Sequence, residues 1–204
     1  MTYPGAGAAA PSRHTFERVA AVVGEAGALL LATTGAVDAV LGVSRELSSV
    51  GFLAWNTVDV LAFCGLLTGL AGLARSRAAG AGLLPGIGLT TAFLGIGAFV
   101  AVSLMTYADQ QAPDRLNAVP ITLTAVGMLL TGLAVVRAGH WQGWQRYMPL
   151  VCGLYAGVVE LPGYLLLRDT AAFEILVVGN WLTWVALNVG LWLATPAHTT
   201  TRRE

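Results

Sequence analysis

Long apolar runs, broken at short intervals by arginine and carboxylate, organise this chain. The run Leu116–Val136, between Arg115 and Arg137, carries no charge, and Arg146 and Arg168 enclose a run of the same length, Tyr147–Leu167, interrupted only by Glu160. At roughly 1.5 Å of rise per residue, either run makes a helix about 31 Å long, which matches the hydrocarbon thickness of a bilayer. Ala78–Ala108 is free of charge throughout and longer still. Gly80, Gly82, Pro85 and Gly86 mark its start as a loop leading into a helix from about Leu84. Val19–Val43 and Ser48–Ala74, each holding acidic residues, and Ile175–Thr195 complete a set of six.

The pattern predicts an all-α membrane protein, a bundle of six transmembrane helices joined by short loops. The expected spans are approximately 19–43, 48–74, 84–108, 116–136, 147–167 and 175–195. They form one transmembrane domain over 19–195, between an N-terminal tail (1–18) and a C-terminal tail (196–204). Composition agrees: 56% of the 204 residues are apolar, 11% are charged, and mean hydropathy is +0.70. That charged share is about half of what a soluble domain carries.

The chain has no lysine, and its eleven arginines are unevenly distributed. Arg13, Arg18, Arg75, Arg77, Arg137, Arg146, Arg202 and Arg203 fall on one side of the six spans; Arg45, Arg115 and Arg168 fall on the other. An eight-to-three bias in short loops places both termini in the cytoplasm and predicts a multi-pass protein of the plasma membrane. The stretch from Met1 to Arg18 lacks an apolar core, so the first span is expected to act as its own insertion signal. No connection exceeds about a dozen residues, which leaves chemistry to the helices and their ends. Trp55, Trp141, Trp144 and Trp192 lie toward span ends, where indole favours the headgroup region.

Catalytic signatures are missing. The chain holds no H-E-x-x-H, no G-x-S-x-G and no phosphate-cradling loop ending in lysine. His14, His140 and His198 are isolated, so no metal set is expected. Cys64 and Cys152 form no C-x-x-C and read as buried packing thiols inside spans. No motif implies a cofactor or nucleic acid as a partner. The expected partners are the lipid bilayer, a proton or small cation, and a second copy or membrane partner protein.

Two internal matches compete. Cys64–Gly69 in the second span resembles Cys152–Gly157 in the fifth, as in an inverted repeat, while LLTGLA occurs at both Leu66–Ala71 and Leu129–Ala134. A chain so rich in Leu, Gly and Ala produces such matches by chance. The G-x-x-x-G pairs Gly65/Gly69 and Gly153/Gly157 are better packing signals, because small residues one turn apart let backbones approach. They mark the second and fifth spans as the expected central pair.

Four acids lie within spans: Glu25, Asp38, Asp59 and Glu160. No span carries a basic residue to neutralise them, and an ionised acid at mid-membrane costs roughly 2.5–3.5 kcal/mol on insertion scales. Each must be protonated, hydrated, bonded to donors from other helices, or matched by a cation. Asp38 lies a turn from the end of the first span and reads as interfacial. Asp59 sits near the middle of the second, with Asn56 beside it at i, i+3. At about 100° per residue, Glu160 shares a sector with Gly153, Ala156, Gly157 and Gly163, and Pro162 frees the carbonyl of Val158.

These positions predict a polar pocket formed by Asp59, Glu160 and Asn56 with Trp184 and Asn188. It would bind a proton or cation, with Glu25 as the cytoplasmic end of a proton route. Two functions stay open: a proton- or cation-coupled small-solute carrier, and a non-transporting scaffold, regulator or partner subunit acting through helix contacts. The stretch Trp144–Leu191, with its W-x-R-x-x-P-L start and tryptophan-rich last span, resembles small six-span membrane proteins of GC-rich bacteria. That resemblance implies a fold and no activity.

Overall fold

A computed structural model describes residues 13–41, 50–108, 116–168 and 170–195. The tails beyond these limits lie outside the described residues, as do the connections holding Arg45, Asp109, Asp114, Arg115 and Asp169. Helices α1 (Arg13–Leu41), α2 (Val50–Ser76), α3 (Leu83–Met105) and α4 (Ala118–Ala138) are continuous. The fifth span, α5 (Gly143–Leu167), is composite: a 3₁₀ turn at Gly143–Tyr147, an α-helical stretch at Met148–Tyr155, a π turn at Ala156–Glu160 and a last stretch at Leu161–Leu167. The sixth, α6, runs Ala171–Ala194. All six are long and apolar enough to cross a membrane, and no strand occurs among the described residues.

Proline placement explains much of the segmentation. Pro85, Pro120, Pro149 and Pro162 each fall within the first turn of a helical stretch, where no intrahelical N–H is needed. In α5 the sequence pattern leaves Val158 with a freed carbonyl. The structure absorbs Pro162 through the π turn instead, with the Leu161 N–H donating to the carbonyl of Ala156. At the other end of α4, Gly139 takes the left-handed conformation (φ 65°) and donates its N–H to the Val135 carbonyl, stopping the helix.

Helix packing forms a closed ring. Each helix packs against its neighbours in sequence, and α6 closes back on α1. The α2–α3 contact is the thinnest of the six. The predicted central pair is therefore corrected: α2 and α5 do not touch and stand on opposite sides of the ring. Their glycines do mark close approaches, but to chain neighbours. A Cβ on Gly65 would lie 2.9 Å from the Val23 carbonyl and 3.1 Å from Gly27 Cα, and one on Gly69 would lie 3.2 Å from Gly24 Cα, all on α1. On α5, Gly153 abuts the α4 backbone at Leu129 and Ala125, and Gly157 approaches the Ala125 side chain. A third seam joins α3 to α4, where Gly88, Gly95 and Gly127 meet Thr131, Thr124 and Ala92.

The two LLTGLA segments are not equivalent. Leu66 and Leu70 are buried in α2, whereas Leu129 is half-buried and Leu133 exposed in α4. Around the outside, aliphatic side chains face away from the ring: Leu61 is 64% exposed, Val158 68% and Leu166 80%. A continuous apolar exterior of this kind suits lipid, not water. Tryptophans divide. Trp144 and Trp192 are exposed, but Trp141 is buried in the core, which corrects its assignment to the interfacial belt. Cys152 is buried, with its thiol donating to the Thr183 carbonyl at 3.4 Å, while Cys64 faces outward and is not a packing thiol.

Candidate functional site

Antiparallel neighbours give the bundle two ends. At the end where α1 begins and α6 stops, Arg18 donates to the Thr195 carbonyl at 3.1 Å and lies over the Trp192 ring, and Arg75 lies over Phe16. The opposite end holds a cavity of about 520 Å³. All six helices contribute to it: the last turns of α1, α3 and α5, and the first turns of α2, α4 and α6. Below it the ring is filled by a core that includes Leu66, Leu70, Ile96, Met128, Trp184 and Leu191.

Aromatic rings separate the two halves. Phe63 from α2 stacks on Phe99 from α3, with centroids 5.0 Å apart and planes 4° from parallel. Trp181 from α6 meets both edge-on, at 5.7 Å and 6.2 Å. These three rings line the cavity and belong to the core at once, so they form its floor, with Phe63 and Trp181 near the middle of their helices.

Asp59 and Glu160 line this one cavity from opposite sides of the ring. The Thr34 hydroxyl lies 3.1 Å from Asp59 Oδ1 and equally 3.1 Å from the Leu31 carbonyl, so its single proton is shared between two acceptors. Glu160 is 3% exposed. Its carboxyl has no hydrogen-bond partner among the described residues, although burying such a group is expensive unless something compensates it. The π turn ends at Glu160 and divides the small-residue face of α5. Gly153 and Gly157 turn to α4, Gly163 turns to Leu176 on α6, and Glu160 turns to the cavity. Asn56 also lines the cavity, and its Nδ2 donates to the Ser103 carbonyl on α3 at 2.7 Å.

Two expected pocket residues are placed elsewhere. Trp184 and Asn188 do not line the cavity; Trp181, one turn earlier, does. Asn188 instead donates to the Trp184 carbonyl at 2.9 Å and lies against Gly24 and Gly69, gluing α6 to α1 and α2. Trp184 lies below the floor, in the core. Glu25 is half-buried and apart from the cavity, whose deepest residue on α1 is Leu31. The separation of Glu25 from Leu31 along the helix is about 9 Å, so Glu25 stands apart from the cavity carboxyls, toward the end where α1 begins.

The sequence pattern alone missed several lining residues. Asp38 is 6% exposed and lines the cavity. Its nearness to a span end suggested the interface, but α6 packs against α1 one turn earlier, with Gly35 against Val178. Arg168 and Glu174, near the ends of their spans, line the cavity too, as do Tyr164 and Phe173, whose rings meet edge-on at 5.8 Å. Among the described residues no group of three His, Cys, Asp or Glu side chains converges as a metal set.

Thr34→Val keeps shape and removes the hydroxyl donor to Asp59. We expect a stability loss of about 1 kcal/mol, the usual worth of a polar contact between membrane helices, in an SDS unfolding titration. A loss above about 3 kcal/mol would show that the hydroxyl compensates a full charge. No protein-family model, no curated protein and no solved structure matches this chain.

Proposed function

We propose that this is a multi-pass protein of the plasma membrane with cytoplasmic termini, acting as a proton- or cation-coupled carrier of a small solute. The arginine bias supports that orientation, which turns the cavity outward. One observation carries the functional reading: a buried Glu160 with no hydrogen-bond partner among the described residues shares a cavity with Asp59. A carboxyl held in that setting favours whatever removes or balances its charge, so it takes up a proton or a cation and releases it when the surroundings change.

A different observation favours a non-transporting scaffold or partner subunit. The half of the ring beneath the aromatic floor is filled by core side chains, and the Thr34 hydroxyl already engages Asp59. In that reading the acids serve helix assembly, and the exposed aliphatic exterior meets a second copy or another membrane protein.

Flux distinguishes the two. Asp59→Asn and Glu160→Gln keep shape and hydrogen bonding while removing the negative charge. In proteoliposomes with an interior pH dye, wild-type protein should carry protons or exchange cations for protons, and each variant should lose at least nine-tenths of that rate. Wild-type vesicles that are silent across a panel of pH and cation gradients would favour the scaffold.

A further inference from the structure

The cavity walls differ from what a bare metal ion requires. An inorganic cation needs several oxygen donors close together, and the described carboxyls do not converge as a metal set. Seven of the lining residues are instead aromatic, among them Phe63, Phe99 and Trp181 on the floor and Trp55 on α2. A volume of about 520 Å³ lies within the roughly 300–1,000 Å³ occupied by small-molecule sites. Apolar walls with a few charged groups are the usual composition of such sites. Glu160 gives the cavity a direction, because it is the buried acid with no donor satisfying it among the described residues.

We infer that the ligand is an organic ammonium ion with an aromatic or branched body. Its N–H points at the Glu160 carboxylate, and its body lies against the rings of the floor and of Trp55. Charge and carbon are served together. The carboxylate takes the ammonium hydrogen in a charge-assisted bond, and ring faces attract the cationic methyl and methylene groups around nitrogen. Asp59 contributes negative potential from the opposite wall while bonded to Thr34. This inference rests on the cation-handling function proposed above and names its substrate class.

Benzyldimethylammonium is a suitable probe, because isobutylbenzene has the same heavy-atom skeleton without the charge. Full-length protein in lipid nanodiscs is titrated with each compound while tryptophan emission is followed, since Trp55 and Trp181 line the cavity. The expected result is saturable binding of the amine, weakened at least tenfold in Glu160→Gln and at least threefold in Trp55→Leu. Isobutylbenzene should neither bind saturably nor displace the amine. Both variants are checked for the parent's elution volume, and Glu160→Asp serves as a second variant that keeps the charge and retains most of the binding.

Amine binding that is the same in Glu160→Gln as in the parent, or equal binding of isobutylbenzene, would overturn the assignment. Carboxylate-dependent proton or sodium flux without amine binding would overturn the substrate class and leave the proposed function standing. Absence of both would remove the two together.

Discussion

Gly153→Ala should strip the protein of a large part of its stability. A Cβ at this position would lie 2.5 Å from the backbone nitrogen of Leu129 and 2.9 Å from the Ala125 carbonyl. Both neighbours are main chain of α4, so no side chain can rotate aside. The methyl can be accommodated only if α5 backs away from α4, and that separation loosens the contacts above and below. Between membrane helices there is little hydrophobic drive to bring them back, since lipid tails solvate apolar surface as well as protein does. The cost should reach the upper end of the overpacking range, about 3 kcal/mol, a large share of the stability of a small domain. Gly97→Ala is the matched control, because nothing lies within 4 Å of the Cβ it would add. It should leave stability unchanged or raise it slightly through helix propensity. Size-exclusion profiles and melting curves in mild detergent report both. If Gly153→Ala elutes and melts as the parent does, the α4–α5 approach is looser than described.

Trp181→Ala should be nearly as damaging. The indole is 4% exposed and meets the rings of Phe63 and Phe99 edge-on. Truncation deletes the largest piece of the cavity floor and leaves the stacked phenyl pair without its cap. Large aromatic-to-alanine changes in close-packed interiors cost about 3–5 kcal/mol. The void would open into the existing cavity, so part of that cost returns as wetting, which places the expected loss at about 3 kcal/mol. Trp181→Phe should recover more than half of it by keeping a ring in place. Thermal unfolding in detergent compares the two; equal melting temperatures would mean that the floor is held by the helices and not by its rings.

How far the sequence pattern reaches depends on which forces act locally. Charge punctuation locates six helices because a span is limited by the length of uncharged chain, a property of the chain itself. Glycine spacing likewise identifies real close approaches at Gly65, Gly69 and Gly153. The partner helix is not legible: a helical wheel gives the direction of a face and says nothing about what stands opposite. Hence glycine spacing pairs α2 with α5, although they lie across the ring from each other. Asp59, Glu160 and Asn56 line one cavity as their depth and facing suggest. Trp184 has the mid-span position that points to a pocket, but Trp181, one turn away, forms the floor. Asp38 misleads for a related reason. Distance from a helix end measures access to water only when nothing packs over that end.

The aromatic floor also bears on electrical sensitivity. Phe63 and Trp181 lie near the midpoints of α2 and α6, so a monovalent guest resting on them has crossed about half the membrane field. Moving one charge across the whole field is worth about 2.3 kcal/mol per 100 mV, and half that distance about 1.2 kcal/mol. In the orientation proposed above, with the cavity facing out and a negative cell interior, occupancy would be favoured about sevenfold at that potential. If the proposed guest binds there, the bilayer voltage would set its apparent affinity even with the helices fixed.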